Sequence, residues 1–148
     1  MSDPKAVTAA FWDALYARDW DAVRSFFGPD SIYLDVPTGP GAAARGPDDI
    51  VKRLRLGLES LTGYDHGPAT VVGDGGIVVT EHTEMWRWPT GETVTLPFVS
   101  VQHVDGATIT LWKDYWDLGT LVSAAPPDWM DQLTSGDLSW MTDVTGEI

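Results

Sequence analysis

The sequence contains no cysteine, which excludes disulfides, thiolate metal sites and cysteine nucleophiles. It is also poor in positive charge: 9 Lys and Arg stand against 22 Asp and Glu, a net charge of -13. That field repels phosphate backbones and anionic surfaces, so neither nucleic acid nor a membrane is an expected partner. No basic residue follows Lys113, whereas Asp114, Asp117, Asp128, Asp131, Asp137, Asp143 and Glu147 do. The stretch from about 122 to 148 therefore reads as a solvated acidic tail or lid. No apolar run approaches the about 18 residues of a bilayer span, and the opening MSDPKAV lacks the basic and apolar regions of a signal peptide. A cytoplasmic protein is expected. There is no Gly-x-Ser-x-Gly to support a serine-nucleophile hydrolase, and GDGG at 73–76 reads as a hairpin turn, because no helix follows it.

What is present is a chain of 148 residues, 43% of them apolar, with eight tryptophans. Length and composition fit a single domain over 1–148. Asp3-Pro4 is a helix start, and Val7, Phe11, Ala14 and Leu15 recur at helical spacing. A second short helix in RDWDAVRSFFGPD stops at Gly28-Pro29. SIYLDV (31–36) alternates as a strand, turning Tyr33 and Asp35 to one side. After a loop, Pro47 opens a third helix with the apolar stripe Ile50, Leu54, Leu58 and Leu61, ending at Gly63. The period then switches to two, giving strands near 68–73, 77–88, 92–104 and 107–117 joined by DGG, PTG and DG turns. This segregation of helices and strands predicts an α+β fold: a curved, mixed but mostly antiparallel sheet wrapped round three N-terminal helices, a cone with an internal pocket. The tail, with PPDWMDQL and GDLSWM, is expected to form a short helix or lid carrying Trp129 and Trp140.

The chemistry concentrates on strand faces. In VVTEHTEMWRWPTG, alternation puts His82, Glu84, Trp86 and Trp88 on one face; in TITLWKDYWDL it puts Trp112, Asp114 and Trp116 together. If these faces line the cone, then His82, Glu84, Asp114, Tyr33 and Asp35 converge in an apolar pocket. Carboxylates brought together away from water raise one another's pKa, and a histidine among them is expected to hold its proton more tightly. One protonated acid beside one ionised base would serve proton transfer at both ends of a reaction. The plainer alternative is that His-x-Glu is a solvated or self-satisfied polar pair and that the tryptophans are ordinary core. A metal site drawn from His82, Glu84, Asp114 and His103 has weak support, since His103 lies at the far end of its strand. No metal or other cofactor is expected.

VVTEHTEMWRWPTGETVTLPFVSVQHVDGATITLWKDYWDLGTL resembles the limonene-1,2-epoxide hydrolase family, which carries Thr-Glu-Arg-x-Asp, Pro-Thr-Gly and Trp-Arg-Asp-Tyr-Phe-Asp-Leu there. SIYLDVP is similar to its Tyr-x-Asn-x-Pro strand, and VTAAFWDALYARDWDAV to its opening helix. The resemblance reaches to about Leu121, and WKDYWDL is its most specific part. The wider superfamily includes ketosteroid isomerase, SnoaL-like polyketide cyclases and the nuclear transport factor, and shares the cone.

The resemblance implies roles. Asp114 would activate a water held also by Tyr33, and Glu84 would protonate the epoxide oxygen. Trp12, Leu15, Trp86, Leu96, Phe98 and Trp116 would line the substrate pocket, and a homodimer is implied. Three positions depart from the family pattern: His82 stands for the bridging arginine, Glu84 for an aspartate, and Asp35 for the water-holding asparagine. Histidine must be protonated to supply charge and offers two donors rather than a fork, and an ionised Asp35 cannot donate to water. The expected substrate is small and apolar, most simply an epoxide opened by water. A SnoaL-like cyclase in which a substrate hydroxyl opens the epoxide, an isomerase or dehydratase, and a non-catalytic ligand-binding module remain alternatives.

Overall fold

A computed structural model describes residues 3–148. Helix α1 (Pro4–Tyr16) begins where Asp3 accepts the Lys5 N–H, with Pro4 in the first turn, where a missing N–H costs nothing. Its buried stripe is Val7, Thr8, Phe11, Trp12 and Leu15. Asp19 caps the short α2 (Trp20–Arg24). Between them Arg18 adopts φ 52°, and its guanidinium donates to the Leu58 and Leu61 carbonyls at 3.1 and 2.7 Å. That contact ties the first helical hairpin to the end of α3 (Pro47–Leu58).

Strands β1 (Ile32–Asp35) and β2 (Ala43–Arg45) precede α3; β3 (Gly63–His66), β4 (Thr70–Asp74), β5 (Ile77–Arg87), β6 (Thr93–Asp105) and β7 (Thr108–Trp116) follow it. Helices α4 (Leu118–Ala124) and α5 (Trp129–Ser135) and the short β8 (Met141–Thr142) complete the chain. The sheet runs β3-β5-β6-β7-β1-β2-β8, with β4 also on β5. β1 pairs parallel to β7, and the other pairings are antiparallel. Gly75 and Gly106 take positive φ in the β4–β5 and β6–β7 turns, the conformation tight hairpins require and side chains resist. The protein is thus an α+β cone with a curved, open, mostly antiparallel sheet.

At the base of the cone the Phe11 ring meets Trp12, Phe26, Phe27 and Trp112 edge-on, with centroids 4.9 to 5.7 Å apart. Such edge-to-face packing adds to the gain from burial alone. It closes one end of the cone and leaves the other to the tail.

Five parts of the fold differ from the sequence reading. The third helix ends at Leu58 rather than Gly63, and Gly63 instead opens β3. The strand expected at 68–73 is β4, and an unexpected strand, β3, precedes it; the two pair with successive halves of β5 and are separated at Gly67-Pro68, where proline has no N–H for the ladder. β2 and β8 are too short for alternation to register. The tail is more than a solvated acidic surface: Leu121, Trp129, Trp140 and Val144 are buried.

Candidate active site

Alternation works on β5 as the sequence requires: Val78, Thr80, His82, Glu84 and Trp86 are all buried. Register then assembles the site. Ser100 on β6 lies opposite Asp114 on β7, and β1 sets Tyr33 beside Trp112 and Asp35 beside Asp114. All four residues of β1 are buried, because the strand is covered on both faces. Ile32 and Leu34 pack with Ala43 and Val144 on the outer side, leaving Tyr33 and Asp35 to the interior.

These side chains surround a cavity of about 110 Å³, room for several water-sized volumes. Tyr33, Asp35, Glu84 and Asp114 line it, and so does each residue expected to form its apolar wall: Trp12, Leu15, Trp86, Leu96, Phe98 and Trp116. Leu121, Trp129, Met130 and Leu133 from the tail helices complete the lining. The segment read from sequence as a lid therefore forms part of the wall.

Each carboxyl has its own set of donors. Glu84 accepts from the Tyr64 hydroxyl at 2.7 Å and from the Trp86 indole at 3.0 Å. Asp35 accepts from the Tyr33 hydroxyl at 2.8 Å and the Trp116 indole at 2.9 Å, and pairs with Arg53 at 2.6 Å. Asp114 accepts from Ser100 and from the Trp112 indole, both at Oδ1. Its Oδ2 has no hydrogen-bond partner among the described residues.

The electrostatics follow from burial. Removal from water pushes the Glu84 carboxyl up to about 7; the hydrogen bonds it accepts from Tyr64 and Trp86, and the Tyr16 hydroxyl nearby, oppose that rise, and Asp35 adds to it. Burial likewise lifts Asp114 well above the usual carboxylate range, helped by Asp35, while Ser100 and Trp112 pull it back. A carboxyl near 7 carries a proton for a substantial part of the time at neutral pH, which suits it to donate.

His82 departs from its expected place. It is buried, but behind the cavity wall rather than in it, with its ring 3.6 Å from Phe98 and 4.5 Å from Trp12 between centroids. Its Nδ1 meets the Tyr16 hydroxyl at 3.0 Å and its Nε2 meets Ser100 Oγ at 3.1 Å. No hydrogen bond joins it to Glu84 among the described residues, so the expected His/Glu donor pair does not form. The expected tightening of its proton is also reversed: burial, with a smaller push from His66, takes its pKa down to about 3, because the carboxylates that would have held the proton face the cavity instead. His103 is half-buried at the β6 bulge, away from this cluster.

Four participants escape a reading of strand faces. Arg53 lies on α3 one position from the apolar stripe, and only the packing of α3 against β2, the strand paired with β1, brings it to Asp35. Tyr64 sits between the expected end of the third helix at Gly63 and the strand expected from 68, and belongs to β3. Tyr16 lies on α1 outside its buried stripe, and Ser100 is not ionisable and was findable only as the register partner of Asp114.

The model of the SnoaL-like domain matches residues 8–112, and the chain belongs to that family. The epoxide hydrolase EphG of Mycobacterium tuberculosis is 27% identical over 117 residues, covering 74% of this chain and 70% of that protein. Among solved structures, a limonene-epoxide-hydrolase-like epoxide hydrolase of Mycobacterium tuberculosis superposes with a TM-score of 0.67 at 26% identity, covering 88% of this chain and 91% of that one. A protein of Shewanella putrefaciens, named provisionally as a SnoaL-like polyketide cyclase, superposes with a TM-score of 0.75 at 20% identity over 84% of this chain and 96% of its own. The family thus includes epoxide hydrolase and polyketide cyclase members. No described helix is long and apolar enough to cross a membrane.

Proposed function

We propose that the protein is an acid–base enzyme that opens an epoxide on a small, largely apolar substrate by direct attack of water. The observation that carries this is the pair Glu84 and Asp114 on one aromatic cavity, the first with its pKa at about 7 and the second with an unengaged oxygen. Glu84 gives its proton to the epoxide oxygen as the C–O bond breaks. Asp114 Oδ2 takes a proton from the water whose oxygen forms the new C–O bond. The product is a diol, and the net transfer of one proton from Glu84 to Asp114 is reversed through solvent before the next turnover. Tyr33, donating its own proton to Asp35, has its oxygen free to accept from the water and position it. Holding water and epoxide together inside one apolar chamber supplies a large part of the rate.

Similarity to an epoxide hydrolase across most of the chain supports this reading. A second reading, a cyclase in which a substrate hydroxyl replaces water, draws support from Asp35: engaged by three donors, it has no hydrogen to offer a water. Turnover in oxygen-18 water separates the two. Label in a diol supports hydrolysis; an unlabelled cyclic ether supports cyclisation. Asp114→Asn is expected to lower kcat by roughly 10²- to 10⁴-fold, and undiminished turnover would remove Asp114 as the base.

A further inference from the structure

Asp114 is not reached by His82 directly, yet the two are joined through Ser100, and beyond His82 lies Tyr16. We infer that Tyr16, His82 and Ser100 are positioning residues, forming a one-way hydrogen-bond chain that holds Asp114 by Oδ1 and leaves Oδ2 as its working atom. This inference rests on the reading of Asp114 as the base.

The direction follows from counting hydrogens. An ionised Asp114 can only accept, so the single Ser100 hydroxyl hydrogen goes to Oδ1. Towards Nε2 the Ser100 oxygen is therefore an acceptor, and Nε2 must carry a hydrogen. A neutral imidazole has only one, so Nδ1 is bare and accepts from the Tyr16 hydroxyl. Each link points at the carboxylate: Tyr16 O–H to Nδ1, Nε2–H to Oγ, Oγ–H to Oδ1. The Trp112 indole donates to the same oxygen. With two donors on Oδ1, protonation of Asp114 is directed to Oδ2, and the chain keeps its direction when the base has taken its proton.

The surroundings fit this arrangement. Ser100 is fully buried and His82 nearly so, so the two links nearest Asp114 are shielded from water. The imidazole is kept neutral by burial between Trp12 and Phe98. Other groups facing Asp114 come from β1, β5 and α3: Asp35 and Tyr33, Glu84, and Arg53. The role taken by His82 is thus steering rather than proton donation, and its neutrality becomes a requirement.

Two measurements test this. Nitrogen-15 NMR of His82 in the unaltered protein is expected to show the neutral Nε2–H tautomer from pH 6 to 8; the Nδ1–H tautomer or an imidazolium would overturn the chain whatever the reaction proves to be. Ser100→Ala deletes the last link, and is expected to lower kcat roughly tenfold or more with little change in KM and to move the acid limb of the kcat profile up by roughly one pH unit. Ser100→Thr, which keeps the hydroxyl, is expected to restore both. An unchanged acid limb in Ser100→Ala, with Asp114→Asn still inactive, would overturn the chain and leave the base in place. Full turnover in Asp114→Asn would instead remove the base, and with it the steering role.

Discussion

Asp35 and Asp114 are register partners in the parallel pairing of β1 with β7, so two carboxyls face one cavity from neighbouring strands. Arg53 pairs with Asp35, and Asp114 is left to burial and to the field of its neighbour, both of which raise its pKa. A carboxylate without a cation of its own, close to a second carboxylate, binds a proton more tightly, and that makes Asp114 a stronger base than an ordinary aspartate.

Asp35→Asn is therefore expected to lower the proton affinity of Asp114 towards the usual carboxylate range. Carbon-13 NMR titration of the Asp114 carboxyl reads this directly; an unmoved titration would mean that burial alone sets its pKa.

Glu84 is expected to impose an alkaline limb near pH 7 on kcat/KM, because the donor is lost when it ionises. The same group affects stability. Its folded pKa lies above its unfolded value of 4.5, so the folded state binds the proton more tightly. The resulting stabilisation is complete below about pH 4 and is lost as pH rises through about 7, a difference of about 3 kcal/mol. Glu84→Gln should abolish the limb together with most activity, and should raise Tm relative to the parent at pH 8 but not at pH 4. Urea melts at the two pH values check the sign.

Arg53→Met leaves Asp35 buried without its cation and is expected to cost about 3 to 5 kcal/mol. In the double variant with Asp35→Asn most of that loss should return, since both charges are then gone. Denaturation of the four proteins gives the coupling energy; equal costs in the presence and absence of Asp35 would show that the pair contributes nothing.

Trp129→Ala removes the tail's largest contribution to the cavity wall, where Trp129 packs edge-on against Trp86 and Trp88 at 6.3 and 5.6 Å. Apolar ligands should dissociate faster, with Kd raised roughly tenfold or more. Stopped-flow displacement of a fluorescent apolar probe measures this, and an unchanged dissociation rate would show that the tail does not retain ligand.

Much of this molecule is fixed by local pattern. Period-two alternation set Glu84, Trp86, Asp114, Tyr33 and Asp35 facing inward, and capping and turn residues set most helix starts and hairpins, because each depends on neighbours a few positions away. What the sequence could not decide was which inward groups touch. His82 and Glu84 share a face two residues apart, yet strand spacing sends the first behind the wall to Ser100 and the second into the cavity with Tyr64. Arg53 reaches Asp35 only because α3 packs against β2, the neighbour of β1. Register between strands and docking of helices arise from the burial of the whole core, and they determine which carboxyl is ion-paired, which keeps its proton, and that the histidine is neutral.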